Sequence, residues 1–174
     1  TAKIVDGAVT AAKLASGAGG KVLQVVSVAK TDTFNGTSSS YTDITGYNVS
    51  ITPTSTSNKV LIQGFITVSL DDWTANGIWL QIVRDSTNIL TSSGGTANGS
   101  FAYGGEAASA AATKKFISPL AFSFLDSPST TSATTYKIQI KVVGTSGEYA
   151  VNYQLQGGTG YTGTSTITAM EIAG

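Results

Sequence analysis

Asp71 and Asp72 are the only adjacent pair of acidic residues in this chain, and Trp73 and Asn76 follow them within one short polar stretch. Two carboxylates could support glycoside hydrolysis or hold a hard cation such as Ca²⁺. Neighbouring side chains at a strand end point apart, however, and no D-x-D-x-D-G loop surrounds the pair, so a solvated turn is the expected role. The indole suggests a different task. Beside carboxylates and an amide it can stack on the apolar face of a sugar while the polar groups take the hydroxyls. Tyr103 and Tyr161 lie in glycine-rich loops and offer the same kind of surface. The candidate ligand-binding set is therefore Asp71, Asp72, Trp73, Asn76, Tyr103 and Tyr161. The bland alternative is that these aromatics fold over the end of the domain or lie in a subunit contact.

Catalysis has little to draw on. With no cysteine and no histidine, the commonest general base, metal ligand and thiol nucleophile are all missing. Glu106, Asp126 and Glu148 are isolated among small or turn residues and read as surface groups. A carbohydrate-cleaving site would need Asp71 or Asp72 to meet one of those three at about 5 to 9 Å. No glycine-rich phosphate motif precedes a helix. The expectation is no enzyme, no cofactor and no metal.

Ten basic and ten acidic residues cancel, and only 11% of the 174 residues are charged, so no field steers nucleic acid or anionic lipid to the surface. Lys114-Lys115 is too small a basic cluster to bind nucleic acid. No apolar run is long enough to insert in a membrane. The length fits one domain, with or without a short appendage. Since it starts at threonine, the chain is expected to be a fragment or a processed product.

The elements that must position these residues read as strands. VLQVVSVAK (22–30), YTDITGYNVSIT and KVLIQGFITVSL (59–70) alternate apolar and polar residues, the last placing Val60, Ile62, Ile66, Val68 and Leu70 on one face. GIWLQIVRD (77–85) sets Ile78, Leu80 and Ile82 against Trp79, Gln81 and Val83, and Asn88-Ile89-Leu90 is a short return. Residues 31–40 and 91–115 read as loops, with SFAYG a possible strand in the second. FISPLAFSFLD (116–126) directs Leu120, Phe122 and Phe124 inward. TYKIQIKVV (135–143) and EYAVNYQLQ (148–156) read as an antiparallel hairpin, and TITAMEIA (166–173) closes the chain. Phe65, Phe122 and Phe124 are core or interface, and Trp79 suits a subunit interface or a second core face. Eight or nine strands without a helix predict an all-β antiparallel β-sandwich or jelly-roll-like domain over 21–174.

Residues 1–20, TAKIVDGAVTAAKLASGAGG, nearly repeat at a spacing of ten: Ala2-Lys3 with Ala12-Lys13, Ile4 with Leu14, and Gly7-Ala8 with Gly17-Ala18. Glycines interrupt any helix, and the segment cannot bury Ile4, Val5, Val9 and Leu14 alone. Repeats with that defect are completed by copies. An extended stalk shared by three chains is one reading of 1–20, and a loose tail is the other.

DGAVTAAKLASGA resembles the short Gly-Ala-Val-Thr and Ala-Lys-Leu repeats of bacteriophage tail or head fibre proteins, which form slender trimeric stalks. The stretches NKVLIQGFITVSL, LQIVRDSTNIL and STITAMEIAG are similar to the C-terminal β-sandwich head domains of such fibres. An RDGT-type turn common there is replaced here by Arg84-Asp85-Ser86-Thr87. The resemblance implies a homotrimeric virion protein, assembled in the host cytoplasm and exposed on the extracellular particle. Other virion proteins would lie on its N-terminal side. Its β domain would bind a host cell-surface glycan or protein. The alternative is a structural capsid-decoration or fibre-anchoring domain with no host ligand.

Overall fold

The computed structural model of the protein describes residues 21–70, 77–92, 99, 101–104, 117–143, 147–155 and 160–174. Eleven strands run in chain order as β1 (Val22–Lys30), β2 (Phe34–Gly36), β3 (Thr42–Ile51), β4 (Lys59–Leu70), β5 (Gly77–Arg84), β6 (Thr87–Leu90), β7 (Phe101–Gly104), β8 (Ile117–Asp126), β9 (Thr134–Val143), β10 (Tyr149–Val151) and β11 (Ser165–Ile172).

Every strand pairing is antiparallel. One sheet has the order β1-β11-β4-β8, with β10 and β2 continuing along the edge of β4 beyond β11. The second has the order β3-β9-β5, and β6 and β7 share the outer edge of β5. The chain crosses repeatedly from one sheet to the other, and this interleaving is the jelly-roll form of a β-sandwich. The all-β sandwich expected from the alternation is what forms.

The period-2 faces meet in one core. Tyr47, Val49, Ile78, Leu80, Tyr136, Ile138 and Ile140 from the second sheet oppose Val60, Ile62, Ile66, Val68, Ile167 and Ala169 from the first, all essentially without solvent contact. Phe122 is buried among them, and Leu120 and Phe124 pack against the cluster. Phe65 faces outward, half-buried, as does Trp79, against whose ring Gly99 packs.

Three sequence expectations change. The hairpin between 135–143 and 148–156 does not form, because both edges of β9 are taken by β3 and β5, while β10 crosses to β4 and β2. The polar stretch 31–40 contains a strand after all, since Phe34–Gly36 gains a partner in β10. Thr67 and Ser69, on the polar face of β4, are buried: their hydroxyls donate to the carbonyls of Thr164 and Tyr153, which lie over them. The strand expected around SFAYG is β7, and the return strand is β6. Asp85 stands in the left-handed region (φ 54°) that glycine would fill in an RDGT turn. Its backbone N–H donates to Thr135 O (2.7 Å) and its Oδ1 accepts from Thr135 N–H (2.9 Å), so tertiary bonds hold the conformation.

Polar groups tie the layers together. The Tyr47 hydroxyl of β3 reaches across to the carbonyls of Phe65 and Thr166 at 2.8 and 2.9 Å. Arg84 donates to both carboxylate oxygens of Asp126 at 3.0 and 2.8 Å, and Tyr136 donates to the same group at 2.7 Å. Asp126 is thus buried between sheets and is no surface group. Glu171, fully buried on β11, accepts from Asn58, Gln24, and both the N–H and hydroxyl of Thr54. Burial alone would raise its pKa, but those hydrogen bonds outweigh it and hold the carboxyl down at about 2.

Two outcomes follow from this packing. A Cβ at Gly64 would lie 2.0 Å from the Thr166 carbonyl oxygen, so Gly64→Ala should destabilise by about 3 kcal/mol, read as a lower urea midpoint. Because Glu171 titrates lower in the folded chain than its ordinary 4.5, its stabilisation is complete above that value and is lost as pH falls from about 4.5 towards 2. Glu171→Gln should be less stable at pH 7 by about 2 to 4 kcal/mol, read as a lower melting temperature, and should lose that segment of the acid transition.

Candidate functional site

The sandwich has two unlike ends. β1 begins, β4 begins and β11 finishes at the end where residues 1–20 join; Lys59 pairs with Ile172 and Val22 with Ile172 there. At the opposite end β4 finishes against β10, and residues 31–41, 152–155 and 160–164 gather. This far end carries a hollow of about 400 Å³. That volume is enough for one or two sugar rings or a group of similar size.

Its wall is built by edge strand β2 and the segments around β10. Thr33, Phe34 and Asn35 form one side, Glu148 stands just before β10, and Tyr153, Leu155 and Thr162 complete it. Phe34 stacks on the buried Tyr149, with ring centroids 6.3 Å apart, so its ring is backed by the core. Asn35 donates its amide to Glu148 Oε1, which fixes a carboxylate and a carboxamide side by side. Apolar rings, an amide, a carboxylate and two threonines are the groups that grip a neutral polyol: rings take its C–H face and the polar atoms its hydroxyls.

Asn152 joins the Thr67 and Ser69 hydroxyls in holding the far segment. Asn152 is fully buried and sits in the left-handed region (φ 60°), which asparagine tolerates better than most residues. Its Nδ2 donates to the carbonyls of Lys30 and Asp32, its Oδ1 accepts from the Ser165 hydroxyl, and its backbone N–H donates to Thr67 O. Gly163 N–H then donates to Asn152 O, and Gln154 N–H to Tyr161 O. Tyr153 and Thr162 bridge as an antiparallel pair. Lys30, its side chain fully buried, donates to Asp32 Oδ1 and Thr45 O, both at 2.8 Å, which fixes the chain leading into β2.

Of the residues nominated from sequence, Asp71, Asp72, Trp73 and Asn76 lie outside the described residues. Leu70, the residue before them, pairs with Tyr149, next in chain to Glu148. Tyr103 belongs to strand β7 rather than to a loop and pairs with Ile78, in the sheet opposite the hollow. Tyr161 is 61% exposed, one residue from Thr162, and does not itself line the hollow. Phe34, Asn35, Glu148 and Tyr153 escaped the sequence reading. A lone phenylalanine in a Thr/Ser/Asn stretch was the available signal, and Glu148 looked isolated because its partner Asn35 is 113 residues away. Among the described residues, Glu148 is the only acidic one lining the hollow.

No family model matches the sequence, and no curated protein matches it. Among solved structures, the chain is similar to that of the infectious bursal disease virus Gt strain, with TM-score 0.45 and 16% identity over 87% of this chain and 38% of that one. It is also similar to infectious bursal virus derived T=1 particles, with TM-score 0.45 and 16% identity over 86% and 36% of the two chains. A third match is the VP2 subviral particle of infectious bursal disease virus, with TM-score 0.39, 16% identity and coverages of 87% and 37%. These neighbours are proteins of virus particles, and this chain spans less than two fifths of their length.

Replacing Asn152 by alanine should unpin the far segment while leaving the core faces paired. The expected loss is about 2 to 4 kcal/mol, with faster hydrogen exchange at the Gln154 and Gly163 amides than at Ile62 or Ile138.

Proposed function

We propose that this chain is a virion component of the phage-fibre type, a homotrimeric head that binds a host surface glycan without covalent chemistry. The hollow at the end away from residues 1–20 carries this reading. It combines Phe34 and Tyr153 with the Asn35–Glu148 pair and lies close to the exposed ring of Tyr161. A neutral sugar suits a chain whose charges cancel. Three copies on one rigid particle raise the effective concentration, so each site can be individually weak. The reading assigns the chain no catalytic step, since it draws on ring stacking and hydrogen bonds alone. Residues 1–20 would face the particle and its other proteins, and the hollow would face the host.

A second reading is a structural capsid-decoration or fibre-anchoring domain without a host ligand. It is favoured by the exposed apolar side chains Val22, Leu23, Val25 and Leu125, which suit protein contacts better than sugar contacts.

The test is binding of the full chain to a glycan array and to whole bacterial cells. Glycan binding that falls at least tenfold in Glu148→Gln and in Tyr161→Ala, with unchanged melting temperature, is the expected outcome. No glycan or cell binding by the parent chain would leave the structural reading in its place.

A further inference from the structure

The outer face of the β1-β11-β4-β8 sheet is not uniform. The register aligns Val25 with Met170, Met170 with Leu61, and Leu61 with Leu125. Paired residues share a face, so one unbroken apolar row crosses all four strands. The next row towards the far end, Ser27-Thr168-Gln63-Ser123, is wholly polar. Towards the near end the apolar character continues through Ile172 and Val22, with Leu23 in the bulge of β1. Val22, Leu23, Val25 and Leu125 are exposed by 50%, 47%, 55% and 48%. No acidic side chain belongs to these rows; Lys59, paired with Ile172, borders them.

We propose that this face is where copies of the chain meet. The inference rests on the self-assembly in the proposed function and adds the surface that does it. Together the exposed side chains form a contiguous patch on the order of 400 Å² per copy, the size of the largest apolar patch on a typical single chain, which is often functional. In a trimer, three such faces shared among three contacts leave about 400 Å² per contact, short of the ~1,000 Å² of a specific one, so something continuous with the patch must enlarge it. Residues 1–20 enter the domain at Lys21, directly beside Val22 and Leu23, and their ten-residue repeat carries Ile4, Val5, Val9 and Leu14 without partners of their own in sequence. Copies joined through that repeat bring their near ends together, and the apolar rows are what they then present to one another. With Lys59 as the single charged side chain in its rows, this apolar face is also compatible with a copy of itself, whereas an unlike protein partner would be expected to select complementary charge. The polar row marks where the contact ends.

The test uses the full chain and its lack of cysteine. Sedimentation gives the mass of the parent, of Val25→Glu and of Leu125→Glu. In parallel, single cysteines at Ser27→Cys and, on the outer face of the other sheet, Ser50→Cys are treated with a short bis-maleimide. The expected result is an assembled parent, at least tenfold weaker association in both charge variants with native circular dichroism, and crosslinking between copies at position 27 but not at 50. An assembled parent whose variants stay assembled, with no crosslink at 27, overturns the inference and leaves the assembly standing. A parent of single-copy mass removes both. Should a charge variant fail to fold, crosslinking at 27 against 50 decides alone. A heterobifunctional link from position 27 to Lys13 of the same chain, found instead of one between copies, would assign the face to residues 1–20 folding back.

Discussion

Strand β4 runs through the middle of its sheet, and every backbone N–H and C=O along it must find a partner away from water. One edge is satisfied by β8 from Val60 to Ser69. The other is shared, with β11 serving Lys59 to Phe65 and β10 serving Val68 to Leu70. At the seam, the Thr67 N–H donates to the Ser165 hydroxyl and the Thr67 carbonyl accepts from the Asn152 N–H. The Ser165 hydroxyl donates in turn to Asn152 Oδ1. Without that exchange the backbone groups of Thr67, between the two partners of β4, would be left unpaired on that edge. The shape of the far end therefore follows from a hydrogen-bonding requirement in the sheet.

The layers are joined by polar crossings as well as by the apolar core. Tyr47 meets the two carbonyls at Phe65 and Thr166, at the place where Gly64 lets β4 and β11 approach closely. The Arg84–Asp126–Tyr136 cluster joins β8 to β5 and β9 near the end where residue 21 enters. Buried ion pairs often give little net stability because desolvation offsets the attraction. What these groups supply is position: each has partners in only one register, and a one-residue slip would strand them. Glu171 and its four donors do the same for the turn at 52–58 and the last strand.

The result is a body with a direction. A twelve-residue strand at 3.3 Å per residue separates the ends of β4 by about 36 Å. The near end is clamped and apolar on its outer face. The far end is polar, with aromatic rings held in a hollow by bonds to the sheet. The two surfaces are separated by the length of the sandwich, so contacts at one end need not disturb the other.

The period-2 alternation in KVLIQGFITVSL, GIWLQIVRD and TYKIQIKVV was enough to name the strands and the buried faces, because side-chain direction along a strand is a local property. The same holds for the absence of histidine and cysteine, which restricts the chemistry before any fold is known. Strand partners were not legible. TYKIQIKVV and EYAVNYQLQ looked like a hairpin, and only the competition for the edges of β9 and β4 sent them to different sheets. Nor could Phe34, Asn35, Glu148 and Tyr153 be gathered from sequence, since they come from segments more than 110 residues apart. Glu148 looked isolated, and Asp126 a surface group, until the sheets brought Asn35 to one and Arg84 and Tyr136 to the other. Composition and periodicity determined which residues face inward; which distant residues share a wall was decided by tertiary structure, where each stretch of strand edge accepts one partner and long-range pairing settles which.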